Sequence, residues 1–273
     1  MVINEKSEDI TNPEWRAFTP EELNERARTG APTSLARHDR GLATIISKTG
    51  RDASGQKLDA YAYSTFKRLR AWNTRTQYFS STDRNLVVAF SELDILKDKL
   101  GLSDGLIERI AYMYRKTQER GLTRGRTISA ILGAAIYIAC REIGIPRTLK
   151  DIAAASNVKR KDIAKNCRLI IRELDLKVPM ADPMKCIVKI ANKANLSEKI
   201  TRQAMNLMTE IIKSKISAGK NPMSFTATVL YISSLRAGEK NVTQLDIATA
   251  AGVTEVTIRN RIKELNSLVD ITA

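Results

Sequence analysis

DIAAASNVKRKDIAKNCRLIIREL at residues 151–174 and DIATAAGVTEVTIRNRIKEL at residues 246–265 are two versions of one passage. Asp151, Ile152, Ala153, Val158 and Ile163 recur 95 residues later as Asp246, Ile247, Ala248, Val253 and Ile258. Upstream, GRTISAILGAAIY (125–137) aligns with GKNPMSFTATVLY (219–231) at an offset of 94. A period this long marks duplicated domains, since short-repeat solenoids recur every ~20–50 residues. Each copy closes on a short helix, a turn and a second helix, the pattern of a helix-turn-helix, which commonly reads DNA.

Outward from this passage the chain divides in two. From Asp83 onward the pattern is helical throughout: Leu86, Ala89, Phe90, Leu93, Leu96 and Leu100 recur at three- and four-residue spacing, the mark of one buried face. Further helices are predicted at 103–119, 125–143, 148–155 and 159–174, then at 183–194, 197–217, 221–237, 242–250 and 254–269. Gly101, Gly121, Gly144, Gly219 and Gly238 punctuate them as caps or turns. No strand-like alternation of useful length occurs, and Pro179 and Pro183 mark the linker between copies. Before Asp83 the chain is richer in turn residues, and Thr19-Pro20-Glu21-Glu22 is its one clear helix start. Residues 33–82 carry nine Lys/Arg against three Asp/Glu and too few core-forming residues to fold alone, so they read as an extended arm that orders on a partner. The expected architecture is all-α: a basic arm (1–82), a first five-helix repeat (83–178) and a second (179–273).

The second copy carries the more specific signal. Asp246–Ala251 supplies small residues where another helix must approach closely, and Gly252 suits the sharp turn because it tolerates positive φ. The next helix starts at Thr254, a good cap, and buries Val253, Ile258, Ile262 and Leu265. Glu255, Val256, Arg259 and Asn260 then face outward near its amino-terminal end, the end with which recognition helices touch base edges. Arg259 suits guanine O6 and N7, Val256 suits a thymine methyl, and Thr254 and Asn260 complete the DNA-facing set. In the first copy the equivalent helix opens on Lys159, Arg160 and Lys161. Cations there oppose the helix macrodipole, which points to phosphate contact over helix stabilisation. An isolated helical hairpin with such a face would read as an ordinary solvated surface; duplication in a basic chain favours DNA.

Composition agrees. The net charge is +15 and the isoelectric point is ≈ 9.8, which points to a polyanionic partner. Hydrophobic residues make up 43%, enough for buried cores, yet no apolar run is long enough to span a bilayer. The amino terminus has neither the basic lead nor the apolar stretch of a secretion signal, so a cytoplasmic protein is expected. Cys140, Cys167 and Cys186 are odd in number, widely spaced and on apolar helical faces, and read as buried reduced thiols.

At this point four motifs, in order, carry a family resemblance. Pro13–Phe18 (PEWRAF), Arg37–Ile46 (RHDRGLATII), Leu69–Asn73 (LRAWN) and the paired repeats with Ala135–Arg141 (AIYIACR) and Val253–Arg261 (VTEVTIRNR) resemble the archaeal transcription initiation factor B family, counterpart of eukaryotic TFIIB, over essentially all 273 residues. The resemblance implies two cyclin-like repeats and a general factor that binds TATA-binding protein on promoter DNA and recruits RNA polymerase. It implies that Val256 and Arg259 read an element upstream of the TATA box. It also implies that a reader segment with Arg37, Asp39 and Arg40 approaches template DNA, and that a linker with Arg70, Trp72, Asn73 and Arg75 aids strand opening. Trp72 fits packing against polymerase better than base stacking. The family suggests a monomer acting within a complex. It normally begins with a zinc ribbon of cysteine pairs; here Met1–Glu5 resembles the stretch after the last ribbon cysteine and no Cys-x-x-Cys occurs, so no cofactor or metal site is expected in this chain. Either the chain starts after the ribbon or it is a ribbonless relative.

Other classes explain less. A cyclin-like adaptor for a kinase would share the twin five-helix repeats but needs no +15 charge. A stand-alone repressor leaves the reader and linker motifs without a purpose. An enzyme is disfavoured: the single histidine, His38, lies in the arm, and no phosphate-binding glycine loop occurs.

Overall fold

The computed structural model describes residues 33–42, 46, 50, 56–77, 80–214, 219–238 and 242–268. The PEWRAF motif, the helix start at Thr19 and part of the reader stretch (43–45) lie outside them. Among the described residues there are eleven α-helices and no strand. The chain separates into two compact units, Met1–Leu132 and Gly133–Ala273. This cut falls inside a helix; the repeat boundary read from the sequence, at 178/179, is a different kind of boundary.

In the first unit, α1 runs Ala60–Gln77, α2 Ser81–Leu100 and α3 Asp104–Glu119. Ser80 and Asp83 cap α2 reciprocally, and Gly101 ends it at φ 60°, a left-handed stop. The six periodic residues of α2, from Leu86 to Leu100, are all buried. Leu106, Ile107, Ile110, Met113 and Tyr114 are the buried face of α3. Phe90 and Tyr114 meet edge-on at 6.1 Å, and the Tyr114 hydroxyl donates to Asn85 Oδ1 at 2.6 Å, which satisfies the polar end of a fully buried ring.

α1 departs from the extended arm expected over residues 1–82, since Ala60–Gln77 is an 18-residue helix. Its sequence is rich in good helix formers, but Tyr61, Tyr63, Phe66, Leu69 and Trp72 are all exposed. Periodicity betrays a helix through its buried stripe, and α1 buries none.

α4 (Ile128–Ile143) spans the cut. In the second unit it continues into α5 (Leu149–Ser156) and α6 (Arg160–Glu173), then α7 (Pro183–Lys193), α8 (Glu198–Lys213), α9 (Pro222–Arg236), α10 (Gln244–Ala251) and α11 (Glu255–Leu268). α9 is the hub of the second copy and packs on α7, α8, α10 and α11. It can be surrounded because its own hydroxyls are internally satisfied: Thr228 and Ser233 donate to carbonyls one turn back, at 2.9 Å each. Gly133 on α4 marks a close approach. A Cβ there would lie 3.3 Å from Ile163 and 3.5 Å from Ile152, the core residues of α6 and α5. Its counterpart on α9 is Ala227, also small and buried. The recurring isoleucines (152/247 and 163/258) are fully buried, and each contributes about 1.5–3 kcal/mol by leaving water.

Candidate nucleic-acid interface

The recurring aspartates have a local job. Thr148 and Asp151 form a capping box on α5, with Thr148 N–H to Asp151 Oδ2 at 3.2 Å and Asp151 N–H to Thr148 Oγ1 at 3.1 Å. Thr243 and Asp246 repeat it on α10 at 3.1 and 3.2 Å. Each short helix ends in a left-handed residue, Asn157 (φ 53°) or Gly252 (φ 67°), which turns the chain into the longer helix. These are two helix-turn-helix motifs built on one plan.

The phase of α11 is set by its buried residues, Ile258 and Leu265. The opposite face near its start presents Val256 (59% exposed), Arg259 and Asn260. An exposed valine this close to a helix start has no packing purpose within the second copy. Arg259 donates to Glu255 Oε1 at 2.6 Å, one turn back, an exposed pair that holds the guanidinium along the helix at little energetic cost to exchange. Thr254 is exposed at the helix start; its carbonyl accepts from Thr257 N–H at 3.0 Å and its hydroxyl meets Thr257 Oγ1 at 2.7 Å. In the first copy Lys159 is the N-cap of α6, and Lys159, Arg160 and Lys161 are all exposed.

A groove of about 800 Å³ lies in the second unit. The amino-terminal ends of α5, α7, α9 and α11 open onto it, each a concentration of partial positive charge. Arg141, Arg147, Lys150, Arg160, Lys185 and Arg261 line it against only Glu142 and Asp182. Apart from Arg160, none of these cations stands out in the sequence. The cations stand singly in separate segments, and only folding collects them.

The residues expected of the reader segment fall in a compact turn of the first unit. Arg40 N–H donates to Arg37 O at 3.0 Å, Gly41 N–H to Asp39 Oδ1 at 3.0 Å, and Arg40 and Gly41 take positive φ. Two residues of α3 grip this turn. Glu108 accepts from the Ser34 hydroxyl and from Leu35 N–H at 3.0 Å. Arg115 donates to the carbonyls of Leu35 (3.0 Å), Arg37 and His38 (3.2 Å) while its guanidinium lies 5.0 Å over the Phe90 ring. Burial, and then the nearby Arg40 charge, pull the Arg115 pKa down. Glu108 and Arg115 were not anticipated, since nothing local in α3 distinguishes them. Of the linker set, Trp72 is 65% exposed and Arg75 exposed on α1, with Arg70 and Asn73 half-buried.

The thiols do not form a zinc site. Cys140, Cys167 and Cys186 sit buried on three different helices. Burial pushes Cys140 up to about 11 and Cys167 up to about 12, and raises Cys186 as well, the reverse of what thiolate ligation needs. Among the described residues no group of three or more His, Cys, Asp or Glu is placed to hold a metal ion. No helix among them is long and apolar enough to cross a membrane.

Comparison with known proteins agrees with this geometry. The Transcription factor TFIIB repeat matches twice, at residues 82–173 and 176–267. The chain is 46% identical to transcription initiation factor IIB of Ignicoccus hospitalis over 94% of its own length and 81% of that protein's. It is 42% identical to the factor of Saccharolobus shibatae (99% and 88% of the two lengths) and 41% to that of Pyrobaculum arsenaticum (99% and 80%). Two tandem copies of one motif and near-full-length similarity to three initiation factors place the chain in the TFIIB family of non-enzymatic general transcription factors.

Proposed function

We propose that this general transcription initiation factor binds the complex of TATA-binding protein with promoter DNA, reads an upstream element and helps RNA polymerase to be recruited, to open DNA and to select a start. The observation that carries the reading is the exposed face of α11, where Val256, Arg259 and Asn260 follow a left-handed turn in a duplicated helix-turn-helix. In this assignment Thr254, Val256, Arg259 and Asn260 meet base edges, and Lys159, Arg160 and Lys161 meet phosphates. Arg37, Asp39 and Arg40 form the reader, and Arg70, Trp72, Asn73 and Arg75 the linker, each offered to polymerase and template. The arm (1–82) serves polymerase, and the repeats (83–178 and 179–273) serve the promoter, in a monomer that works at the nucleoid.

The test is a gel shift and footprint on a TATA promoter with and without archaeal TATA-binding protein. A supershifted complex that protects DNA on both sides of the TATA box supports the reading. A folded chain that gives no such complex refutes it and turns attention to a cyclin-like adaptor role.

A further inference from the structure

Two adjacent residues near the start of α5 reach across to the other helix-turn-helix and its repeat. Lys150 Nζ donates to the carbonyl of Gly252, in the turn between α10 and α11, at 2.5 Å. Asp151 Oδ2 accepts from Lys189 Nζ on α7 at 2.6 Å, with both side chains mostly covered. Two further ties lie beside them: Arg141 donates to the Pro179 carbonyl at 2.7 Å, and Lys185 Nζ lies so close over Gly144 that a Cβ there would come within 2.6 Å of it.

The duplication separates the needs of the motif from the needs of the contact. Asp151 and Asp246 both cap their own helices, so the aspartate is explained without any cross-contact. Lys150 is different. Its counterpart in the second copy is Leu245, 62% exposed, so the helix-turn-helix itself does not require a cation at that position. The Gly252 N–H is already used within its own motif, bonding back to α10 (Thr249 O, 3.2 Å), while its carbonyl takes the ammonium of the other motif.

We propose that Lys150 is a positioning residue that ties the turn of the second helix-turn-helix to the first and sets the register in which the two motifs meet DNA. The inference rests on the DNA-reading assignment above. Gly252 stands four residues before Val256, so a displacement of the turn is carried directly into the base-reading end of α11. Two motifs held in one register need not be ordered again on binding, and the ordering cost saved appears as affinity for correctly spaced sites. Without the tie, each motif still meets phosphate, but base contacts and backbone contacts fall out of step.

The experiment uses the full chain as wild type, Lys150→Met and Lys150→Arg. Binding is measured with TATA-binding protein on promoter DNA carrying either the matched or a scrambled upstream element, across a salt series. The proposal expects Lys150→Met to lose roughly tenfold of the preference for the matched element, with the scrambled affinity and the salt slope unchanged, and Lys150→Arg to restore the preference. Equal weakening on both DNAs with a slope smaller by about one would make Lys150 a phosphate contact and overturn it. Unchanged preference, with or without a lower melting temperature, would also overturn it. A second measurement needs no DNA: spin labels at Ala154→Cys and Lys263→Cys report the distance between α5 and α11. A narrow distribution in wild type and Lys150→Arg that broadens in Lys150→Met supports the tie; no broadening refutes it. If wild type fails to distinguish matched from scrambled DNA, the DNA-reading assignment fails, and the label distances still decide whether the tie exists.

Discussion

Asn157 and Gly252 hold the same left-handed turn in the two copies, at φ 53°, ψ 30° and φ 67°, ψ 29°. Asparagine and glycine are the residues that occupy this region at least cost. Beyond its own chain neighbours, no atom lies within 4 Å of where a Cβ on Gly252 would stand, so crowding plays no part. Gly252→Asn is therefore expected to fold with nearly unchanged stability. Gly252→Val is expected to lose about 1–2 kcal/mol from backbone conformation alone. Urea unfolding of both variants checks this. A valine variant as stable as wild type would mean the turn relaxes out of the left-handed region.

The roles proposed for Arg259 and Lys159, base edge and phosphate, separate experimentally. Arg259→Ala is expected to weaken promoter binding by about 1–3 kcal/mol and to relax preference at one upstream base. Its ion pair with Glu255 is an exposed one-turn pair, so the fold should not suffer. Lys159→Ala is expected to weaken binding on every sequence and to reduce the salt slope by about one. Affinities on a panel of single-base promoter variants, each over a salt series, distinguish the two. Equal loss on all sequences for Arg259→Ala would remove it from base reading.

The sequence was most legible where burial and periodicity coincide. Leu86, Phe90, Leu93 and Leu100 announce α2 because each faces the core, and Ile258 fixes the phase that turns Val256 and Arg259 outward. α1 escaped notice for the converse reason, since Phe66, Leu69 and Trp72 face solvent and leave no stripe to read. The groove cations could not be seen in advance: Arg141, Arg147, Lys185 and Arg261 belong to separate segments, and no local pattern links them. The grip of Glu108 and Arg115 on the reader turn was hidden likewise. It joins residues more than 70 positions apart, largely through backbone N–H and carbonyl groups, which nearly every residue carries.

That grip predicts how the reader turn is held. Arg115 binds three carbonyls of that turn, those of Leu35, Arg37 and His38. Arg115→Met keeps an unbranched apolar side chain but removes all of these donors and the guanidinium that lies over Phe90. Amide exchange at Leu35 and Arg40 is expected to accelerate by about tenfold or more, while promoter binding is unchanged. Unchanged exchange would mean that Glu108 and the internal turn bonds suffice. Arg40→Ala, which leaves the grip intact, is expected to spare promoter binding and to reduce initiation by a polymerase-competent form; loss of promoter binding would remove Arg40 from the reader.

Asp151 gives the fold a pH signature with a definite sign. Burial alone would raise its carboxyl, but the Lys189 ammonium and the Thr148 donors outweigh it and hold the pKa below the ordinary carboxylate value. A group depressed in the folded state stabilises fully above its unfolded pKa of about 3.9, and that contribution is lost as pH falls through the folded value. Asp151→Asn keeps an acceptor for the Thr148 N–H and removes only the charge that faces Lys189. The variant should melt lower than wild type between pH 6 and 8, and the gap should close as pH drops below about 4. Asp246→Asn is the matched control, because its capping box lacks the lysine tie and its side chain is exposed. A gap for Asp151→Asn that exceeds the control and closes in acid places the extra stability in the Lys189 contact. A gap that stays constant from pH 8 down to 3 would assign it to the shape of the cap and not to its charge.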